Sequence, residues 1–388
     1  MYEHRYLATA IDLIIAYHGD TPFHLFVKRF FSVNKKYGSR DRKQIASLCY
    51  HYFRLGQSAK KLTVEDAILL GTFLCEHSAS TLLESIKPEW NALIQKPLKE
   101  KVAMVDKAWK MDEIFPFKDE LSPGVDAEKF SASFLVQPDL FLRIRPGKNK
   151  RVAGKLSGAA IQWQLISQQC IALPNASKID TIIDLDGEAV VQDLNSQRAL
   201  EFVQPYINKH QPLVWDCCAA SGGKSILAYD LNPKIVLTVS DKRESILQNL
   251  QQRFIKAGIK KYNSFITDLA NNQSQLPVEK MDLIICDAPC TGSGTWARTP
   301  EQLFYFKKET IKKYAALQKS IAGNAVKIIK PGGHFLYITC SVFKKENEEV
   351  VNYLKENSQL NLVKMETLKG YGIKADSLFA ALFIAPGS

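Results

Sequence analysis

The chain has 388 residues, of which 46% are hydrophobic and 23% are charged, a composition typical of an ordinary globular protein. This length is too great for one compact core, so we expect two or three domains. A net charge of +11, from 51 basic and 40 acidic residues, favours a polyanionic partner, with nucleic acid ahead of a membrane surface. No uncharged apolar run approaches the ~20 residues of a membrane span. Glu3 and Asp12 break the N-terminal apolar stretch, so no signal peptide is expected.

The cysteines indicate the redox state of the chain. They are Cys49, Cys75, Cys170, Cys217, Cys218, Cys286, Cys290 and Cys340. None forms a C-x-x-C pair, so no zinc or other metal site is expected. Five of the eight fall in or beside apolar, strand-like runs of the C-terminal half, which is unlike a disulfide framework. Reduced thiols in a cytoplasmic protein fit this pattern better.

Residues 1–128 carry the apolar spacing of amphipathic helices, and no strand is expected there. The first 60 residues hold ten Lys or Arg against four Asp or Glu. Between two helical patterns lies the stretch 37–42, in which Ser39 or Asp41 can cap the second helix. Charge alone leaves two interpretations open, a helical bundle with a solvated basic face and an RNA-docking module.

A loop with Pro116, Pro123 and Gly124 marks a plausible boundary, and the pattern changes over 129–205. Residues 141–145 alternate like a half-buried strand, and 179–193 is expected to form two short strands that turn at Asp186 and Gly187. A basic edge follows the first strand, with no acid in its sequence; it comprises Arg143, Arg145, Lys148, Lys150, Arg151 and Lys155. This edge is equally well explained as a solvated face or as a phosphate-binding surface.

From residue 206 onward, strand-like and helix-like segments alternate, which predicts a parallel sheet covered by helices on both faces. The expected strands are 213–217, 235–240, 264–267, 281–286 and 334–339, with 378–385 as a last strand. The clearest helices between them are 245–257, which ends at Gly258, and 309–329, which ends at Pro331.

A glycine loop follows the first strand of this region. The apolar run that ends at Asp216 breaks into small residues, and a helical pattern begins after Gly222 and Gly223. This predicts a strand, a tight turn and a helix N-terminus, where backbone N–H groups face a ligand at the positive end of the helix dipole. A side chain at Gly222 is expected to fill the space that such a ligand needs.

Polar residues stand at the ends of successive strands, namely Asp216, Asp241, Asp268, Asp287 and Cys340. In an open parallel sheet those ends form the ligand crevice, so together they predict a cofactor site. Asp241 lies nineteen residues after Gly222, close to where an acid that binds a ribose hydroxyl is expected.

Three cofactors compete for the glycine loop. A dinucleotide fingerprint requires G-x-G-x-x-G, which the loop lacks. A P-loop requires G-x-x-x-x-G-K-S/T; Gly223, Lys224 and Ser225 supply its end, but Cys218 stands where the first glycine belongs. S-adenosylmethionine carries no phosphate and requires only a close backbone approach with acids for its ribose and adenine, so it fits best.

Two further stretches carry cysteines at strand ends. Residues 287–294 read Asp-Ala-Pro-Cys-Thr-Gly-Ser-Gly, and 339–341 read Thr-Cys-Ser, followed by Glu346. With the glycine loop, these motifs resemble the Sun (RsmB-type) family of RNA cytosine-C5 methyltransferases, in its bacterial ribosomal-RNA branch, over roughly 140–385. The helical first third, with its Tyr-Gly-Ser-Arg-Asp-Arg stretch, resembles the NusB-like domain of that branch.

The resemblance implies an α/β fold with a defined domain plan. A Rossmann-like sheet of the class I methyltransferase type, with helices on both faces, is expected over 206–388. It is preceded by a small α/β RNA-binding segment over 129–205 and by an all-α, NusB-like RNA-binding domain over 1–128.

The resemblance also implies roles for matching positions. The residues that would hold the methionine and ribose parts of S-adenosylmethionine are Cys218, Ala219, Ala220, Ser221, Gly222, Gly223 and Lys224. Asp241 would bind the ribose, Asp268 would bind the adenine, and Asp287 would lie between the cofactor and the base. Cys340 would be the nucleophile, and Cys290 would assist release.

Two positions depart from the family pattern. Ser221 replaces the proline that usually precedes the paired glycines, which is expected to loosen the loop without abolishing it. Residues 376–379, Asp-Ser-Leu-Phe, follow the last family motif only loosely, so the shape of that wall is open.

The chemistry accounts for these residue types. Cytosine C5 is a poor nucleophile, and a thiolate that adds at C6 turns the ring into an enamine whose C5 can attack a methyl group. The target base must leave its stack, which favours a single-stranded or distorted RNA.

The sequence therefore predicts a cytoplasmic S-adenosylmethionine-dependent RNA cytosine-5 methyltransferase that acts on small-subunit (16S) rRNA or on an assembly particle. Three alternatives stay open: a non-catalytic RNA-binding assembly factor, a P-loop nucleotide hydrolase, and a DNA rather than an RNA substrate. No membrane and no metal are expected as partners.

Overall fold

The computed structural model describes residues 2–105, 109–271 and 273–387. Its α-helices, in chain order, are α1 (Tyr2–Ala16), α2 (Phe23–Val33), α3 (Ser39–Arg54), α4 (Val64–Cys75), α5 (Thr81–Ile86), α6 (Pro88–Asn91), α7 (Leu98–Met104), α8 (Ala127–Ser133), α9 (Asn149–Gly158), α10 (Leu194–Arg198), α11 (Gln204–Ile207), α12 (Gly223–Leu231), α13 (Glu244–Ala257), α14 (Pro300–Tyr305), α15 (Glu309–Ala325) and α16 (Glu348–Asn357). Its strands are β1 (Leu140–Ile144), β2 (Gln164–Ser167), β3 (Cys170–Leu173), β4 (Ala189–Val191), β5 (Leu213–Asp216), β6 (Val236–Asp241), β7 (Asn263–Ile266), β8 (Met281–Asp287), β9 (Ile329–Thr339), β10 (Asn361–Leu368) and β11 (Leu378–Ile384).

The chain divides into two compact units. The first comprises residues 1–119, 126–137 and 296–307, and its described part contains helices and no strand, as the sequence predicts. Asp41 lies in the first turn of α3, and its carboxylate stabilises the helix start by accepting the Gly38 N–H at 2.8 Å. Tyr17 packs edge-on against Phe23 and Phe53 in the aromatic core of this unit. The three-part domain plan of the sequence stays a prediction.

The second unit contains a four-stranded antiparallel sheet in the order β2-β3-β1-β4. Leu142 and Ile144 of β1 pack against Val152 and Leu156 of α9, which confirms a small α/β segment. The expected pair of strands over 179–193 is wrong, because only β4 forms. The Ile183 N–H bonds to the Ile179 carbonyl at 2.8 Å, so this stretch closes a helical turn instead of extending.

The larger sheet of the second unit has seven strands in the order β10-β11-β9-β8-β5-β6-β7. Strands β5 to β9 pair in parallel, and β11 pairs antiparallel with both β9 and β10. All six expected strands are confirmed. Two details differ: α15 ends at Ala325, so Pro331 lies inside β9, and β10 is a strand that was not expected. That strand lies at the edge, and most of its side chains are exposed or half-buried, so it lacks an apolar alternation.

Side chains alternate between the two faces of this sheet, and each face is covered by helices. Val214 and Ile285 lie in one apolar core, which includes Ile226 of α12 and Phe254 of α13. Trp215 and residues of α15 and α16 lie in the other. The structure thus confirms the Rossmann-like α/β class. In the part of the chain that the structure describes, no helix combines the length and apolarity that crossing a membrane requires.

Candidate active site

A pocket opens at the carboxyl ends of the parallel strands, where the sequence predicts a crevice. It brings together seven of the predicted site residues: Cys218, Ala220, Asp241, Asp268, Asp287, Cys290 and Cys340. The rest of its wall is formed by Cys217, Lys242, Arg243, Thr267, Leu269, Ala288, Pro289, Tyr314, Leu317 and Ile321. The wall therefore offers carboxylates, an apolar surface and sulfur atoms in one place.

The glycine loop lies beside this pocket, and its first glycine packs closely against α13. Gly222 has φ +84° and immediately precedes α12, and a Cβ there would come within 2.8 Å of the Phe254 ring and 3.0 Å of Leu250. The expectation that a side chain at Gly222 would fill ligand space is therefore corrected: it would collide with α13. Ala219, Ser221, Gly222, Gly223 and Lys224 do not line the pocket.

Backbone N–H groups of the loop are also used inside the protein. The Ala219 N–H donates to the Ser240 carbonyl at 2.9 Å, and the Gly222 N–H donates to the Ala219 carbonyl at 2.8 Å. The Ala220 N–H donates to a carboxylate oxygen of Asp241 at 3.1 Å, and Ala220 itself adopts φ +46°. These bonds fix the turn, so the loop positions Asp241 instead of presenting these three N–H groups to a ligand.

Ser221 is held firmly although it stands where a proline is usual. The Arg253 guanidinium donates to its carbonyl at 2.9 Å and to its hydroxyl oxygen at 3.0 Å. The same guanidinium pairs with Asp186 at 2.8 Å. The expected loosening of the loop is therefore not seen, because an ion-paired arginine braces it.

Lys224 and Asp287 form an ion pair next to the pocket. The Lys224 ammonium lies 2.8 Å from an Asp287 carboxylate oxygen and donates to the Ser196 hydroxyl at 2.9 Å. The lysine is buried, which by itself lowers its pKa, but the attraction of Asp287 outweighs that penalty and raises the pKa overall. Lys224 therefore stays charged and orients the carboxylate that faces the pocket.

The two acids expected to bind the nucleoside differ in their surroundings. Asp241 ends β6, is buried, and also pairs with Arg243 at 3.1 Å. Asp268 follows β7, is exposed at the rim, and accepts the Ala270 N–H at 3.1 Å. One carboxylate is thus fixed within the wall and the other is open to solvent.

Cys290 and Cys340 meet across the pocket. Their sulfur atoms lie 3.2 Å apart, although the residues are 50 positions apart in the chain. The hydrogen bond to Cys340, together with burial, raises the pKa of the Cys290 thiol. The Lys224 ammonium interacts electrostatically with Cys340. The arrangement keeps the Cys290 thiol protonated next to the Cys340 sulfur.

Glu346 links the loop that carries Cys290 to the loop that carries Cys340, a role that was not predicted from the sequence. Its carboxylate accepts from the Thr291 N–H at 2.9 Å, the Thr291 hydroxyl at 2.6 Å, the Ser341 hydroxyl at 2.7 Å and the Gln318 amide at 2.9 Å. Burial raises its pKa. Its position five residues after the Thr-Cys-Ser stretch was the available signal.

The last motif packs against the Cys290 loop. A Cβ at Gly294 would lie 1.9 Å from the Ser377 carbonyl oxygen, so only glycine permits this approach. The Ser377 N–H donates to the Gly294 carbonyl, and the Gly294 N–H donates to the Cys340 carbonyl, both at 2.9 Å. The wall formed by residues 376–379 is therefore well defined despite its atypical sequence.

The basic edge requires a correction. Arg143 is only 2% exposed, and its guanidinium lies 2.5 Å from Asp230, which also pairs with Arg145 at 2.7 Å. Arg151 and Lys155 pair with Glu188, an acid that is distant in sequence. Arg143 and Arg145 are therefore structural, whereas Arg151 stays largely exposed; in all four cases folding supplies the acid that the local sequence lacks.

Comparisons with known proteins support the family resemblance. Residues 204–387 match the family model described as 16S rRNA methyltransferase RsmB/F. The Sun-family resemblance is confirmed. "Ribosomal RNA small subunit methyltransferase B" of Shewanella oneidensis is 34% identical over 192 residues, which are 48% of this chain and 43% of that protein. The "Probable ribosomal RNA small subunit methyltransferase B" of Bacillus subtilis is 26% identical over 231 residues, 58% of this chain and 51% of that protein. The chain thus spans about half the length of the curated relatives it matches.

Solved structures agree on the fold of this chain. The crystal structure of PH0851 has a TM-score of 0.71 with 18% identity, covering 97% of this chain and 98% of that chain. NSun6 from Pyrococcus horikoshii, solved with SFG, has a TM-score of 0.62 with 14% identity, covering 70% of this chain and 97% of that one. At these identities the likeness shows the fold alone.

One wall of the pocket was not predicted from the sequence. Tyr314, Leu317 and Ile321 of α15 line it, and their spacing of three and four residues is that of one helix face. That spacing was the available signal, but it is shared by every buried helix face, so it does not mark a binding site.

Proposed function

We propose that this chain transfers a methyl group from S-adenosylmethionine to C5 of a cytosine in RNA through a covalent cysteine adduct. The observation that carries the proposal is the pair of cysteines at 3.2 Å, set beside Asp287 in a pocket at the strand ends of an RsmB/F-type domain. A cysteine at one strand end is ordinarily a buried small apolar residue. Two cysteines whose sulfur atoms are in contact, with an ion-paired lysine nearby, favour a catalytic role instead.

The pocket fits S-adenosylmethionine by the chemistry of its wall. Asp241 and Asp268 supply carboxylates for the ribose hydroxyls and the adenine amine, and Leu269, Leu317 and Ile321 supply an apolar slot for the ring. When bound, the cofactor supplies an electrophilic methyl group. The glycine loop acts by holding Asp241 in place.

We assign Cys340 as the nucleophile that adds to C6 of the base. The reactive species is the thiolate of this residue. Addition at C6 places electron density on C5, which takes the methyl group, so one hard step becomes two easier ones. Asp287, oriented by Lys224, would accept the N3–H of a base that is protonated at N3, and this protonation favours the adduct.

Cys290 acts after methyl transfer in this scheme. A base near Cys290 must take the C5 proton, and the electron pair of that C–H bond then re-forms the ring double bond and expels the Cys340 sulfur. The raised pKa of Cys290 keeps a proton next to Cys340, where the departing sulfur needs one. Glu346 is a positioning residue here, because it holds the loops of both cysteines.

We further propose 16S rRNA, free or in an assembly particle, as the substrate of this chain in the cytoplasm. The names of its relatives and the net charge of +11 support this choice. The NusB-like region over 1–128 and the segment over 129–205 would bind the phosphate backbone of the RNA.

Bisulfite mapping of 16S rRNA tests the proposal. RNA from cells with the gene should contain one protected cytosine that is lost on deletion and restored by the wild-type chain. The Cys340→Ala chain should not restore it. An unchanged map on deletion would contradict the rRNA assignment, and restoration by Cys340→Ala would contradict the chemistry.

A further inference from the structure

Three thiols from separate parts of the sequence converge beneath the cofactor pocket. Cys217, Cys218 and Cys286 place their sulfur atoms within 4.8 Å of one another. We propose that this cluster is a binding site for a single thiophilic metal ion, of the class of Zn²⁺, Cd²⁺ or Cu⁺. The site lies outside the residues assigned to methyl transfer, Cys340, Cys290 and Asp287.

Sheet pairing creates the cluster. Asp216 of β5 pairs with Ile285 of β8, and the Cys217 N–H extends this ladder by donating to the Ile285 carbonyl at 2.9 Å. Cys217 and Cys286 are therefore neighbours on one face of the sheet, in the same apolar core. The strand ends before Cys218, whose sulfur stays on this side as the chain turns into the loop.

The spacing suits a metal–thiolate centre. Zinc–sulfur bonds of about 2.3 Å at tetrahedral angles place the sulfur atoms about 3.8 Å apart. Three sulfur atoms within 4.8 Å reach that spacing with shifts of about 1 Å or less. Three protein ligands leave a fourth position, and the ion can enter through the pocket because Cys217 and Cys218 line it.

The electrostatics favour a cation here. Asp216 ends β5 just before Cys217, and Asp287 ends β8 just after Cys286, so two carboxyl groups stand next to the thiols in the chain. Both would attract a bound cation, and sulfur ligands select soft ions over Mg²⁺ or Ca²⁺.

Metal binding releases protons from the thiols. The ion takes up to three thiolates, and each thiol that was protonated releases one proton to solvent. Affinity should therefore rise with pH. Because two of the ligands line the proposed cofactor pocket, a bound ion should also compete with S-adenosylmethionine; only this last consequence rests on the proposed function.

Titration of the full, reduced chain with Cd²⁺ in the absence of cofactor tests the site. The readouts are the ultraviolet thiolate-to-cadmium absorption and the mass of the native protein. We expect one ion per chain. Cys286→Ser should weaken binding at least tenfold and reduce the absorption, and Cys218→Ser, at a half-buried position, should do the same if the first variant folds poorly. Cys170→Ser, a buried thiol outside the cluster, should bind like wild type.

A Cys290→Ser/Cys340→Ser chain separates this cluster from the other sulfur pair. It should still bind one ion with wild-type affinity. Wild-type binding by both Cys286→Ser and Cys218→Ser, or loss of the ion in the Cys290→Ser/Cys340→Ser chain, would overturn the inference. If the ion binds but S-adenosylmethionine does not, the proposed function fails and the metal site stands.

Discussion

A single buried carboxyl at the end of β5 shows how strongly position controls charge at the scale of one residue. Asp216 has no exposed surface; one of its oxygen atoms accepts from the Ser225 hydroxyl at 2.6 Å, and the other has no hydrogen-bond partner among the described residues. Burial raises its pKa from 3.8 to about 7. Asp216 therefore binds a proton in the folded state at a pH where the unfolded chain releases it.

This shift makes stability depend on pH. Between pH 3.8 and about 7 the folded chain holds the extra proton, so the free energy of unfolding should fall as pH rises through that window. Asp216→Asn carries no charge at any pH and can still accept from Ser225. Urea unfolding followed by circular dichroism should show the wild type losing stability relative to this variant, by about 1.4 kcal/mol for each unit of pKa shift.

Ser225→Ala provides the second arm of that experiment. The Ser225 hydrogen bond favours the charged carboxylate, so its loss should move the window to higher pH. If the wild type and Asp216→Asn give parallel curves from pH 4 to pH 8, the carboxyl is not perturbed as described.

At the scale of elements, the tight turn between β5 and α12 depends on one glycine and not on its neighbour. Gly222 has φ +84° and faces Phe254, whereas a Cβ at Gly223 would meet no heavy atom within 4 Å. Gly222→Ala should therefore destabilise the chain by at least ~1–2 kcal/mol, the cost of a left-handed L-residue, with the collision added. Gly223→Ala should be neutral or stabilise by up to ~1 kcal/mol, as alanine does in helices. Equal costs in urea unfolding would contradict this account of the turn.

Elements with strong local signals could be predicted from the sequence. The helix 245–257 ends at Gly258, which adopts φ +73°, and the buried strands β5, β6 and β8 appear as apolar runs. Elements with weak local signals could not. Strand β10 is an exposed edge, and 179–188 forms turns through backbone bonds that no side-chain pattern announces.

The candidate site, too, could be predicted only where the local sequence carries a signal. Strand-end residues such as Asp287 and Cys340 could be predicted, because topology alone brings those ends together. The Lys224–Asp287 pair and the burial of Arg143 could not, since each depends on a partner 63 or 87 residues away.

At the scale of the whole molecule, the excess of positive charge is the broadest clue to a polyanionic partner. Of the basic edge, Lys148 and Lys150 are outside the ion pairs that fix Arg143, Arg145, Arg151 and Lys155. Lys148→Glu/Lys150→Glu should weaken RNA binding and flatten its salt dependence, by about 0.7 to 0.9 in log–log slope for each RNA phosphate that the variant no longer neutralises.

A chain with the same net charge provides the control. Lys280→Glu/Lys355→Glu reverses two exposed lysines, one of which precedes β8 at the amino ends of the parallel strands. Filter binding over a salt series should leave this control near wild type. Equal losses in the two variants would show that net charge, and not the edge, governs binding.

The covalent trap tests the central claim, that Cys340 attacks and Cys290 releases, most directly. Cys340→Ala, Cys290→Ala and the double variant are incubated with substrate RNA, with and without S-adenosylmethionine, and run on denaturing electrophoresis. Both single variants should fail to turn over, but only Cys290→Ala should carry RNA into a shifted band, because attack and methylation proceed while release stalls. That band should require S-adenosylmethionine and be absent from the double variant. Trapping by Cys340→Ala instead would reverse the assignment, and two active variants without trapping would contradict covalent catalysis.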